Sequence, residues 1–343
     1  MGKCLITKLN ASVTDSSILR LGEIRVKITK DSNPSNQKIT LSVTKDTVVE
    51  LIGDSYFTDS NLTTNLGKSK VIKPSDGIVA IYVNNVPAEI ALRNKYAISD
   101  LTFNRRTKSL DLNALKFCSN LRTLNSEYSG ISGDIASLKD LSMTQIYLSG
   151  SYIYGDIVNL KDMTSLSRLN INDCNDVHGD LSSLSKLTNL TFLYFNNSGL
   201  TGNISSLAKL TKITSLNLDN RNNHFVGNIE SLSSLSNLSS VVLGHSALTG
   251  DLAKLPTSCT FANFNDSEST FSWSARPSDA KILTILGSAL ISNVDTMLID
   301  QASREASSQS IKIISVKGSR TSVSDDAVAA LQAKGYTVSI ISA

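Results

Sequence analysis

Apolar and polar positions along the chain repeat with a long period. Six clusters of the form apolar-x-Gly-[Asp/Asn]-[Ile/Leu] recur, centred on Gly133, Gly155, Gly179, Gly202, Gly227 and Gly250, at spacings of 22, 24, 23, 25 and 23 residues. Five residues beyond each Gly stands a Leu (Leu138, Leu160, Leu184, Leu207, Leu232, Leu255). Eight beyond it stand Leu141, Met163, Leu187, Leu210 and Leu235, until Ser258 breaks the column. An L-x-x-L-x-L segment follows, with Leu124, Ile146, Leu169, Leu193, Leu216, Val241 and Ala262 at its fourth position. A period in the low twenties with fixed apolar offsets predicts a solenoid, because a unit this short buries its apolar side only against its neighbours. One degenerate copy precedes the series, with Ile98, Leu101 and Phe103 in its strand and Leu110 in place of the Gly. Eight strands are expected between about residues 98 and 264.

These motifs resemble the leucine-rich-repeat family, in particular the plant-receptor subtype whose strand is followed by an apolar-x-Gly-x-Ile segment, as in "LTGNISSLAKL". The chain departs from that pattern twice. The Pro that often follows the Ile is absent. The Asn of the family's internal ladder is replaced by Ser129, Ser151, Cys174, Ser198 and Ser246, whose hydroxyl or thiol bonds turn backbone more weakly. The resemblance implies an α/β-type leucine-rich-repeat solenoid with a parallel sheet over residues 98–270.

The flanks read differently. Period-two alternation in "EIRVKIT", "KITLSVT" and "GIVAIYVNN", with the turn-rich "DSNPSNQ" between the first two, predicts an all-β, sandwich-like domain over residues 1–97. Residues 271–343 are expected to form a small α/β cap that seals the last repeat. In it, "SDAKILTILGSALI" reads as a helix with Ser278 as N-cap, "TMLID", "IKIISV" and "YTVSII" as strands, and "SDDAVAALQAKG" as a helix with Ser324 as N-cap and Gly335 beyond its end.

Composition narrows the function. A net charge of +3, with 18% charged residues and no dense Lys/Arg cluster, gives no electrostatic case for nucleic acid or membrane as partner. No apolar run reaches the ~18 residues of a transmembrane helix, and the first thirty residues lack the apolar stretch of a signal peptide. Cys4, Cys118, Cys174 and Cys259 are dispersed and form no CxxC pair, which favours reduced, packed thiols over disulfide or zinc. The three histidines, His178, His224 and His245, stand in no nucleophile, phosphate-loop or metal motif. No enzyme activity, catalytic residue, cofactor or metal is therefore expected. The row Asp134, Asp156, Asp180 and Asp251 alternates with Asn203 and Asn228, as expected of turn residues that bond local N–H groups. Asp173, Asn196, Asp219 and Asn220 are the residues placed to bracket a calcium ion, if any do.

The candidate binding surface is the concave face. Its fifth strand position reads Asn125, Tyr147, Asn170, Tyr194, Asn217, Val242, Asn263. The third adds Gln145, Arg168, Phe192 and Phe261, and the seventh Asn172, Asn196, Asp219 and Asn265. With strands ~4.8 Å apart this is a sheet roughly 35 Å long, paved with amides and a few aromatics that suit sugars or polar protein loops. Gln145, Tyr147, Arg168, Asn170, Phe192, Tyr194 and Asn217 are the expected ligand contacts. An exterior-type binding protein without a leader fits a phage structural protein, and "MGKCLITKLNASVTDSSILRLGEIRVKI" and "SDDAVAALQAKGYTVSI" are similar to segments in proteins of crAss-like, Bacteroidales-infecting phages. That resemblance implies a virion component, a fibre or decoration protein, made in the host cytoplasm. It would meet other virion proteins through its N-terminal domain and a host-surface glycan or protein through its repeats, with a homo-oligomer as one possible form. The competing expectation is an intracellular repeat scaffold or effector in a cytoplasm.

Overall fold

The computed structural model describes residues 108–342 other than 117 and 222–224 (108 and 109 in backbone only), the backbone of nine strands between residues 23 and 103, and the side chains of residues 100–102. Cys4, His224 and the "DSNPSNQ" connection lie outside the described residues.

Each repeat forms three pieces in order: a short inner strand, an outer strand that carries the Gly, and a 3-10 turn that carries the Ile/Leu-x-x-Leu. The inner strands stack in parallel and in register, Leu124 beside Ile146 and Ile146 beside Leu169. The outer strands stack in parallel as a second ladder. Between the two ladders lies the core. Leu124, Ile146, Leu169, Leu193, Leu216 and Val241 are all 0% exposed, as are Ile135, Ile157, Leu181, Ile204 and Ile229 from the turns.

The Gly-Asx pair locks neighbouring repeats together. Asp134, Asp156, Asp180, Asn203, Asn228 and Asp251 each N-cap their 3-10 turn, the side-chain oxygen accepting the N–H two residues on at 2.8–3.0 Å. Each of these side chains except that of Asp251 also stands against the glycine of the following repeat. At Gly179 a Cβ would fall 2.6 Å from Asp156 Oδ1 and 2.8 Å from Ile157 Cγ2, and at Gly202 2.8 Å from Asp180 Oδ2. Both glycines have φ values, +127° and +126°, that L-residues rarely adopt. Lys108–Asp111, which carries Leu110 in the place of the Gly, has the antiparallel strand Glu23–Ile28 on that side instead of another repeat. Hydroxyls make a further seam: Thr144, Ser167, Thr191, Thr214 and Ser239 each donate to a backbone carbonyl one repeat back at 2.9–3.1 Å.

The substituted internal ladder is buried and bonded. Ser129 Oγ donates to Ser126 O at 2.8 Å, Ser151 Oγ to the same carbonyl at 3.1 Å, Cys174 Sγ to Leu148 O at 3.1 Å and Ser198 Oγ to Phe195 O at 3.2 Å. In the 25-residue repeat this place falls to Asn220, which is 0% exposed and donates to the carbonyls of Ser198 and Leu200. Asn220 is therefore turned inward as a donor and is corrected as a calcium ligand. Cys118, Cys174 and Cys259 are buried.

Eight inner strands were expected, and Ile98–Phe103 through Phe261–Phe264 supply them. The ladder then continues through Thr284–Gly287, Ile313–Lys317 and Thr337–Ile341. Two assignments in residues 271–343 are overturned. The expected helix at "SDAKILTILGSALI" is the pair of strands Thr284–Gly287 and Leu290–Ile291. Ile282, Leu283, Thr284 and Ile285 are consecutively 0% exposed, the mark of a strand covered on both faces. The expected strand "TMLID" lies in helix α1 (Val294–Ala302), whose buried Val294, Met297, Leu298 and Gln301 follow helical spacing. Helix α2 (Asp325–Ala333) and strands Ile313–Lys317 and Thr337–Ile341 form as expected. Ser324 holds the N-cap place of α2 but donates its hydroxyl to Asp295 Oδ1 at 2.6 Å instead of capping. Ile313–Lys317 pairs with both Thr284–Gly287 and Leu290–Ile291, so the two ladders converge there. Asp300, accepting from Trp273 Nε1 at 2.9 Å and Arg304 Nη2 at 2.6 Å, pins α1 to this end.

At the other end the strands are antiparallel. Glu23–Ile28 pairs with Lys108–Asp111 of the outer ladder, and Lys38–Val43 with Ile98–Phe103 of the inner one.

Three outcomes are expected. Leu193→Ala or Leu216→Ala should cost ~2–5 kcal/mol by cavity formation in denaturant titrations. Gly179→Ala should cost on the order of 1–3 kcal/mol, and combining it with Asp156→Ala should cost measurably less than the sum, because the clashing oxygen is gone; strict additivity would refute the interlock. Burial raises the Cys174 and Cys259 thiols from 9.0 to about 11. Values raised by folding give stability that is complete below pH 9 and lost as pH climbs through 11. Thermal melts of Cys174→Ser should accordingly fall less steeply than wild type over that interval.

Candidate functional site

The inner strands place alternate side chains on the solvent side of the ladder, since successive residues of a strand point to opposite faces. The seven expected contact residues all lie there: Gln145, Tyr147, Asn170, Phe192, Tyr194 and Asn217 are half-buried and Arg168 is exposed. The structure divides them into two groups.

The asparagines serve the backbone. Asn170 Oδ1 accepts the Ser149 hydroxyl at 2.8 Å and the Asn172 N–H at 3.3 Å, while its Nδ2 donates to Glu127 Oε1 at 2.7 Å. Asn217 Oδ1 accepts the Asp219 N–H at 3.2 Å, and Asn263 Oδ1 the Asn265 N–H at 2.9 Å. Asn172 Oδ1 accepts the Asn196 N–H at 2.7 Å. These amides fix the turn that leaves the strand.

The aromatic group is continuous. Arg168 Nη1 donates to Tyr147 Oη at 3.3 Å, and its guanidinium lies 4.5 Å from the centroid of the Phe192 ring. Phe192 and Tyr194 meet edge to face with centroids 6.0 Å apart, and Tyr194 Oη is 2.8 Å from Ser215 Oγ. Tyr147, Arg168, Phe192, Tyr194 and Ser215 thus form one connected strip across four adjacent strands. Ser215 and Glu127 were not singled out in the sequence; the first occupies the third column and the second the seventh, so the register alone could have found them. Gln145 lies on the strand of Tyr147.

One rim of this face carries left-handed residues, Tyr128, Asp173, Asn197, His245 and Asp266, with φ between 50° and 57°. Asn197 Nδ2 donates to Asp173 Oδ1 at 2.9 Å. His245 Nδ1 lies 2.7 Å from Asp219 Oδ1 and its Nε2 3.6 Å from Asp266 Oδ2. His178 is exposed, its Nδ1 3.3 Å from Asp176 O. Among the described residues no group of three or more His, Cys, Asp or Glu could hold a metal ion. Among them, too, no helix is long and apolar enough to cross a membrane.

No family model matches the chain, and no curated protein matches it. Among solved structures it is similar to the PEPR1–AtPEP1 complex, with a TM-score of 0.54 and 20% identity over 72% of this chain and 35% of that one. The fold is a leucine-rich-repeat solenoid. The leucine-rich-repeat ectodomain of the Arabidopsis thaliana receptor kinase GASSHO1/SCHENGEN3 gives a TM-score of 0.46 at 18% identity, covering 70% of this chain and 32% of that one. The internalin inlF of Listeria monocytogenes gives 0.42 at 19%, covering 71% and 80%. The chain spans about a third of the length of the PEPR1 and GASSHO1/SCHENGEN3 structures.

If Asn170 is a turn-fixing residue, Asn170→Ala should cost about 1 kcal/mol in denaturant titrations. The same experiment on Gln145→Ala, whose side chain makes no comparable bond among the described residues, should give less than half of that.

Proposed function

We propose that the chain is a non-enzymatic recognition protein that holds a protein or peptide partner on the strip Tyr147–Arg168–Phe192–Tyr194. One observation carries the reading: this is where the inner face offers connected aromatic and guanidinium surface, whereas the asparagines beside it are committed to their own turns. Tyr and Arg are the side chains that most often dominate protein interfaces, because each brings large, stiff area and a polar tip. Among neighbours in fold, PEPR1 was solved in complex with AtPEP1, in keeping with a binding role.

The resemblance of the two chain ends to phage proteins supports a virion setting. In it the N-terminal strands attach the protein to the particle, the repeats face the host surface, and residues 271–343 close the exposed end of the solenoid. Removing residues 1–97 is a poor test of that division, since it would strip Ile98–Phe103 and Lys108–Asp111 of the antiparallel strands paired with them.

The test uses the full chain. Peptides are selected against it from a displayed library and their affinities measured for Tyr147→Ala with Tyr194→Ala, and for Arg168→Ala. Each variant should weaken binding by about 30-fold or more, the equivalent of a hot-spot loss of ~2 kcal/mol, with an unchanged melting temperature. Selected peptides that bind both variants as tightly as wild type would place recognition elsewhere.

A further inference from the structure

A second site lies away from the inner strands. From Gly227 to Leu238, the first position of the next inner strand, is 11 residues, and the same interval holds from Gly155, Gly179 and Gly202; from Gly250 to Cys259 it is 9. The 3-10 turn Leu252–Lys254 is correspondingly one residue shorter than its four-residue predecessors. Pro256 therefore takes the place of Leu235: Cys259 N donates to Pro256 O as Leu238 N donates to Leu235 O. The break at Ser258 is a contraction of the turn, not a polar residue in the core column.

Beside the contracted turn opens a cleft of about 490 Å³. Its donors are Ser233, Ser236, Lys254 and Thr257, Arg276 stands in its wall as a cation, Pro256 contributes an apolar surface, and among the described residues no carboxylate lines it. Arg276 is only 3% exposed. Its Nη2 donates to Pro256 O and Cys259 O at 3.1 Å each, but Nε and Nη1 are buried without a partner among the described residues. The adjacent Ser274 Oγ is buried and unpartnered too, so three of the four such atoms fall in one three-residue segment. No acidic group forms an ion pair with Arg276 among the described residues: Asp300 accepts the Arg276 backbone N–H at 3.5 Å and is paired with Arg304, and Asp279 acts on Arg276 only through space. A buried cation without a counter-ion is costly, and its unmade hydrogen bonds add to that cost.

We infer that this cleft binds a peptide carboxylate, with Arg276 as the buried cation, Lys254 as a second cation at the rim, and the hydroxyls of Ser233, Ser236 and Thr257 as further donors. A single carboxylate matches the single unpaired buried charge and accepts several donors at once. The wall of Pro256 suits the carbon atoms that carry a peptide carboxylate, and the volume lies in the range of small-ligand sites. None of the lining residues belongs to an inner strand, so this site and the aromatic strip stand or fall separately.

The experiment is titration of the full chain, by calorimetry at constant ionic strength, with N-acetylglycine, N-acetylglycinamide and inorganic phosphate. N-acetylglycine should bind saturably and the uncharged amide should not. Arg276→Met, which keeps the volume and removes the charge, should lower affinity at least tenfold. Lys254→Ala, a change at an exposed position that leaves folding intact, should lower it about threefold. Binding of the amide as tight as that of the acid would overturn the proposal, as would phosphate binding where N-acetylglycine does not, or unaltered affinity in Lys254→Ala. Free-terminus and amidated pentapeptides, with Asp or Asn inside, then tell a C-terminal carboxylate from an acidic side chain.

Discussion

The distance between a glycine and the carboxylate of the repeat before it sets the geometry of this solenoid. An Asx oxygen accepts the N–H of its own 3-10 turn and at the same time occupies the space a side chain would need on the next outer strand. Only a residue without Cβ, tolerant of a φ near +125°, fits against it. The sixfold recurrence of Gly is thus one constraint expressed six times: each Gly accepts the Asx of the repeat before, from Asp111 against Gly133 to Asn228 against Gly250. Charge has no part in this, so Asn203 and Asn228 serve as well as the aspartates.

Fixing the outer edge fixes the inner one. With each turn capped and locked, the Leu of the 3-10 segment and the Leu of the inner strand meet in one layer of the core, and the inner strands come into register without a long element of their own. Three-residue strands are weak alone, with few ladder bonds to offset the entropy of ordering them. Hydroxyl side chains reinforce them from both ends: Thr144, Ser167, Thr191, Thr214 and Ser239 before the strand, Ser129, Ser151 and Ser198 after it. The polarity of the composition, carried by Ser, Thr and Asn more than by charge, is in large part this internal stitching.

How much of this is legible in the sequence depends on whether one repeat suffices to explain a residue. The Gly, Asx and Leu columns, the eight inner strands and the outward columns follow from periodicity because every copy solves the same packing problem. The hydroxyl seam is equally periodic but hides among many surface serines. Beyond Phe264 the problem changes from copy to copy. "KILTILG" carries Ile and Leu at spacings that serve a helix or a doubly covered strand equally well, and only its burial between Phe261–Phe264 and Ile313–Lys317 decides for the strand. Val294, Met297, Leu298 and Gln301 do follow helical spacing, but Gln301 hides the pattern: its amide is buried because it bonds Leu283 N and O at 2.9 Å each. Arg276 is the least legible residue of all, since its burial follows from a two-residue contraction of the turn before it.

The same division bears on the inner face. An amide column paving a sheet looks like a row of free hydrogen-bonding groups, but Asn170, Asn217 and Asn263 each spend the side-chain oxygen on the N–H two residues ahead, where the chain turns out of the ladder. A partner that displaced those bonds would leave backbone donors unmet, losing on one side what it gained on the other. Tyr147 and Tyr194 occupy the same column without that duty. Their hydroxyls reach sideways to Arg168 and Ser215, so their rings are held in place by side chains and not consumed by the backbone. Positions that the fold does not require for its turns are the ones free to present aromatic surface, and in this column they are interleaved with the positions that it does.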